Sequence, residues 1–216
     1  LRFRREAEAA AKLRHPGIVQ VFEIGTSPSG DYIAMEYVDG GSLAEQIAGR
    51  PWPPTDAAEL VAQLADAIQS AHDAGIIHRD LKPANILLAV AAGDSDATVV
   101  RESPTSGNRS RTQAARITDF GIAKHLGDAA NPTVSGDVLG TPSYMAPEQA
   151  ASDLKAISPA TDVYALGAIL YELMTGRPPF FGASAIDTIR QVIEDDPVPP
   201  SRLNSRLPRD LETICL

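Results

Sequence analysis

His78-Arg79-Asp80-Leu81-Lys82-Pro83-Ala84-Asn85 is the stretch that decides how this chain reads, and two more polar motifs follow it in order, Asp119-Phe120-Gly121 and Ala146-Pro147-Glu148. Residues 86–88 and 115–118 are short apolar runs with strand character. The first cluster therefore leads into one strand, and the second opens where another ends. The run between them, about residues 89–114, is polar and small, with almost no large apolar side chains. Such a composition cannot bury enough surface to order itself.

Working outward, residues 1–14 are rich in helix formers and charges and are stopped by His15-Pro16-Gly17, which predicts an amphipathic helix. Residues 18–24 and 31–38 read as a strand pair around a Pro/Gly turn. Ser42 can cap a helix. Pro53-Pro54-Thr55-Asp56 opens a long helix to about residue 74, with Leu60, Leu64, Ala67, Ile68 and Ala71 at helical spacing. Residues 128–144 are loop-like, the chain turns helical from Asp162, and another helix begins at residues 209–212.

The bulk numbers bound the answer further. The 216 residues, 44% hydrophobic, suffice for one domain or for two small lobes sharing a cleft. A net charge of -9 opposes nucleic-acid binding, which needs a positive field. No run reaches the ~20 apolar residues of a membrane helix, so no membrane contact is expected of this segment. Cys215, the single cysteine, excludes an internal disulfide and suits a reducing compartment. With no initiator Met and no signal-peptide pattern, the chain is expected to start inside a longer reading frame, with any anchor outside it.

Together the three motifs resemble the catalytic loop, metal-binding turn and activation-segment end of protein serine/threonine kinases. The wording of residues 119–124 and 140–149 is most similar to bacterial kinases of the eukaryotic, or Hanks, type. The resemblance implies an α+β, protein-kinase-like bilobal fold. Residues 1–38 would form part of a β-rich N-lobe, and residues 39–216 a mostly helical C-lobe interrupted by a disordered insertion at about 89–114. It further implies transfer of the ATP γ-phosphoryl group, with Mg2+, to Ser/Thr hydroxyls of protein substrates in signalling. Cytoplasmic placement of the domain follows, and the oligomeric state stays open.

Phosphoryl transfer asks mainly for positioning and charge neutralisation. By resemblance, Asp80 would orient and deprotonate the substrate hydroxyl, and Lys82 would offset charge on the transferred group. Thr141 would bridge the two. Asn85 and Asp119 would hold magnesium through oxygen atoms. The backbone of Glu36 and Val38 would hydrogen-bond adenine, with Met35 controlling access behind it and Leu87 packing beneath. Glu6, nine residues before His15, would pair with a lysine on a preceding strand. That lysine and a Gly-rich turn are expected before Leu1, so the 216-residue piece alone is expected to be inactive. Arg79 would capture a phosphate on the activation loop, with Thr133 and Ser135 as its candidate sites. Phe120 and Gly121 complete the metal-binding turn, and Asp162 would accept N–H groups of the catalytic loop. Glu148 would pair with an arginine beyond Leu216.

The chain departs from the family pattern at residues 89–114, where about twenty extra residues replace a tight hairpin, a length uncommon inside a compact domain. Two other readings compete. A catalytically inactive kinase-like scaffold or binding module would share the fold, but the intact Asp80, Lys82, Asn85 and Asp119 favour the enzyme. A small-molecule kinase of related fold would share Asp80 and Asn85, but the segment from Thr141 to Glu148 weighs against it.

Overall fold

The computed structural model describes residues 11, 13–28, 30–89, 114–120 and 142–216. The expected first helix with Glu6, the 89–114 insertion and the positions of Gly121, Thr133, Ser135 and Thr141 lie wholly or almost wholly outside the described residues.

Strands β1 (Val21–Ser27) and β2 (Gly30–Met35) form an antiparallel hairpin running from Val21 opposite Met35 to Ser27 opposite Gly30. The hairpin lies closer to its turn than the expected 18–24 and 31–38, with β1 starting and ending later and β2 starting and ending earlier. Thr26 and Ser27 join the ladder rather than the turn, pairing with Asp31 and with Gly30, whose φ of 126° is open to glycine. Ile18 instead forms a bridge with Ile117. Residues 36–38 leave the strand after one last bond, Glu36 N–H to the Gln20 carbonyl at 2.8 Å.

The helical body begins with α1 (Leu43–Ile47). Ser42 caps it in a reciprocal box with Glu45, at 3.3 and 3.2 Å. The long helix α2 (Pro54–Asp73) starts on a proline, whose missing N–H costs nothing at a helix start. Leu60, Leu64, Ala67, Ile68 and Ala71 are all buried, which makes them the face α2 turns to the core.

Strands β3 (Ile86–Ala89) and β4 (Ala114–Ile117) pair antiparallel, Ile86 opposite Ile117 and Leu87 opposite Arg116. Thr118, expected inside the second strand, falls just past it. Its N–H donates to the Asn85 carbonyl at 3.0 Å and ties the two polar turns together.

The remaining helices are α3 (Pro147–Ala150), α4 (Pro159–Thr175), α5 (Ala185–Glu194), α6 (Pro200–Leu203) and α7 (Arg209–Cys215). Helix α4 packs on α2 through a mostly apolar surface that includes Ala165, Leu166, Ile169, Leu170 and Leu173. It ends at Gly176, φ 80°, where a Cβ would lie 2.7 Å from the Gly49 carbonyl oxygen. One core cluster joins α1, α2, α4 and the β3–β4 hairpin, with Ile24 and Ile33 of the first hairpin packed against it. The polar turns at 78–85 and 118–120 thus hang from a single packed core. Among the described residues, no helix is long and apolar enough to cross a membrane.

Candidate active site

The catalytic-loop segment carries an unusual backbone. Arg79 is a non-glycine residue at φ 65°, a left-handed conformation that disfavours a side chain and persists only where surroundings enforce it. Asp162, in the first turn of α4, supplies the enforcement. Its carboxylate is 1% exposed and accepts the backbone N–H groups of His78 and Arg79, each at 2.8 Å, and sits 2.7 Å from His72 Nε2. Gln149 of α3 adds a second tie, donating from Nε2 to the Arg79 carbonyl at 2.7 Å.

His78 is fully buried between these turns. Its Nε2 lies 3.0 Å from the Thr118 carbonyl, its Nδ1 accepts the Asp80 N–H at 3.3 Å, and its ring leans on Phe120 at 4.6 Å between centroids. A neutral ring protonated on Nε2 satisfies both contacts, whereas a charged ring would aim a second N–H at that of Asp80. Burial holds the pKa below its ordinary 6.5, against the pull of Asp162 and other nearby acids. The native state therefore binds fewer protons than the unfolded chain. Stability from this group is intact above about pH 6.5 and is lost as pH falls from there toward the lower folded value. Nitrogen-15 imidazole spectra should show His78 neutral at pH 6.5. A ring mostly charged at that pH contradicts the assignment.

Two expected residues converge on Asp80. Lys82 Nζ is 3.0 Å from Asp80 Oδ2, and Asn85 Nδ2 donates to the Asp80 carbonyl at 2.8 Å and to Oδ2 at 3.2 Å. The lysine and carboxylate are both partly exposed. Committing its nitrogen inward leaves the Asn85 amide oxygen as the atom a cation could use. Asp119 follows Thr118 at φ 62°, a left-handed position aspartate tolerates better than most residues, and it is exposed.

Asn85 and Asp119 therefore lie at the ends of two backbone-linked turns, one offering an amide and the other a carboxylate. Among the described residues, no three His, Cys, Asp or Glu side chains form a group that could cage a metal ion. A sparse oxygen donor set suits magnesium, which keeps several waters and shares phosphate oxygens, so these residues fit that ion.

The other expected residues are placed as follows. Met35 ends β2, with its sulfur 3.9 Å from the Thr118 hydroxyl. Glu36 and Val38 follow in the segment leading to α1. Leu87, half-buried, bridges to Ser42, and the Leu88 N–H donates to the Gly41 carbonyl at 2.9 Å, which sets Leu87 beside the end of that segment. Glu148 accepts the Thr161 hydroxyl at 2.6 Å. His72, Gln149 and the Glu36–Arg116 ion pair were not singled out from the sequence. The only sequence signal for His72 was its place in the last turn of α2.

A family model described as "Protein kinase domain" matches residues 1–212. The chain is 40% identical to serine/threonine-protein kinase PknB of Mycobacterium leprae over 221 residues, covering 100% of this chain and 32% of that protein. It is equally 40% identical over 222 residues to the PknB of Mycolicibacterium smegmatis, again covering 32% of it. The chain thus spans about a third of the length of the curated relatives it matches.

Proposed function

The chain belongs to the protein kinase domain family, and from that premise we propose that it transfers the γ-phosphoryl group of ATP to serine and threonine hydroxyls of protein substrates. One observation carries the reading: the Asp80 carboxylate stands at a partly exposed loop, with a lysine ammonium 3.0 Å away and an asparagine amide 3.2 Å away.

Asp80 accepts the proton of the attacking hydroxyl as its oxygen bonds to the γ-phosphorus and the bond to the departing ADP oxygen breaks. Lys82 places positive charge beside the transferred group, and Thr141 keeps the role toward both that the resemblance implies. Asn85 and Asp119 would hold magnesium, which would supply neutralisation of phosphate charge. The backbone of Glu36 and Val38 receives adenine, Met35 limits access behind it, and Leu87 lies under the ring. Glu6, Arg79, Thr133 and Ser135 keep the roles the resemblance implies, and so does the division into lobes at residues 1–38 and 39–216. Lys82-Pro83 and the names of the relatives favour serine/threonine over tyrosine.

The test is to incubate the full-length protein with ATP, Mg2+ and a generic protein substrate, and to map phosphorylated residues by mass spectrometry. Phosphoserine and phosphothreonine are expected, and Asp119→Asn should remove them. Absence of transfer from the wild-type protein would turn the reading to an inactive scaffold.

A further inference from the structure

Strand β4 has two faces. Ala115 and Ile117 point into the core, 4% and 0% exposed, while Arg116 points the other way, and Thr118, just past the strand, continues that side. On that second face, Arg116 Nη1 ion-pairs with Glu36 Oε1, and the Thr118 hydroxyl contacts the Met35 sulfur. These two partners are the last residue of β2 and the first residue beyond it, the point where the adenine-binding segment begins. The other Glu36 oxygen accepts the Gln20 N–H at 3.4 Å, so a single carboxylate is shared between β4 and the edge of the first hairpin. Three residues after Arg116, the same strand delivers Asp119.

The energetics argue against a purely stabilising purpose. The paired side chains are 27% and 28% exposed, and ion pairs at such exposure contribute little to global stability. Arg116 Nε, in addition, is buried with no hydrogen-bond partner among the described residues, which is a cost. A pair of small net stability, built at the expense of an orphaned donor, makes sense if what it provides is geometry.

We propose that Arg116 is a positioning residue: by gripping Glu36 it fixes the adenine-binding segment at a set distance from the Asp119 turn, so that both ends of the nucleotide are registered by one strand. The inference rests on the kinase reading above. Through the shared carboxylate, Arg116 and Glu36 act as one unit.

The test uses the full-length protein and four variants: Arg116→Ala, Arg116→Lys, Glu36→Gln and the Arg116→Ala/Glu36→Gln double. Two quantities are read, the KM for ATP against kcat in phosphate transfer, and the Kd of ADP without divalent cation, which leaves out the metal-mediated phosphate contacts. Arg116→Ala should raise the KM and the ADP Kd about three- to tenfold with kcat within about twofold. The double should be no worse than either single, because both remove one interaction. Arg116→Lys should recover part of the loss, as a point charge lacking the planar fork. An unchanged KM and Kd in Arg116→Ala, or effects that add in the double, would overturn the positioning role while leaving the kinase reading intact. A wild-type protein that neither binds ADP nor transfers phosphate would overturn both.

Discussion

Asp80→Asn in the full-length protein is expected to lower kcat about 10²–10⁴-fold, with little change in the KM for ATP and an unfolding midpoint within a few degrees of wild type. The magnitude follows from what the carboxylate does. Its Oδ2 meets both Lys82 Nζ and Asn85 Nδ2, which hold this carboxylate in place as the proton acceptor. An asparagine keeps the shape and one acceptor oxygen but loses the basicity. The loss should therefore appear in the chemical step alone, which single-turnover measurement separates from binding. The partly exposed position explains why the fold survives, since neither Lys82 nor Asn85 depends on Asp80 for burial. Undiminished kcat in this variant would remove Asp80 from the mechanism and with it the proposed reaction.

Asp162→Ala should destabilise the domain by about 3–5 kcal/mol, the range seen when a buried, hydrogen-bonded charge loses its partner. The carboxylate satisfies two backbone N–H groups and faces His72, and its removal strands all three, the His78 N–H in a fully buried position. The effect on activity should go beyond the loss of folded protein. Arg79 keeps its left-handed backbone only while that N–H is held, so the loop that presents Asp80 should relax once the anchor is gone. Denaturant unfolding gives the stability change, and kcat measured where the variant remains folded gives the positional one. Asp162→Asn, which retains one acceptor oxygen, should fall between wild type and alanine in both. A change under 1 kcal/mol for the alanine would show that the buried carboxylate is not the anchor.

How much of this was legible beforehand varies with the range of the interaction. Helix α2 could be read directly, because Leu60, Leu64, Ala67, Ile68 and Ala71 repeat at a helical period and a leading proline marks the start. The cap at Ser42 was legible for the same reason, since its partner Glu45 is three residues away. Strand ends were less so. Both strands of the first hairpin moved toward their turn because register depends on which residues the turn before Gly30 brings opposite one another, and a run of apolar residues does not encode that. The tie between His72 and Asp162, 90 residues apart, and that between Arg116 and Glu36, 80 residues apart, had no local signal at all.

By itself, the sequence determined the kind of chemistry. An aspartate, a lysine and an asparagine at short spacing, an aspartate on a later turn, and the helical periodicity around them are local patterns, and local patterns survive in one dimension. Only the tertiary structure decided how those groups are held: which buried carboxylate clamps a strained loop, which ring wedges between the two turns, and which arginine reaches the segment after β2. Those partners are chosen by proximity in three dimensions, where burial makes each unmet hydrogen bond costly and so fixes the pairs that the fold brings together.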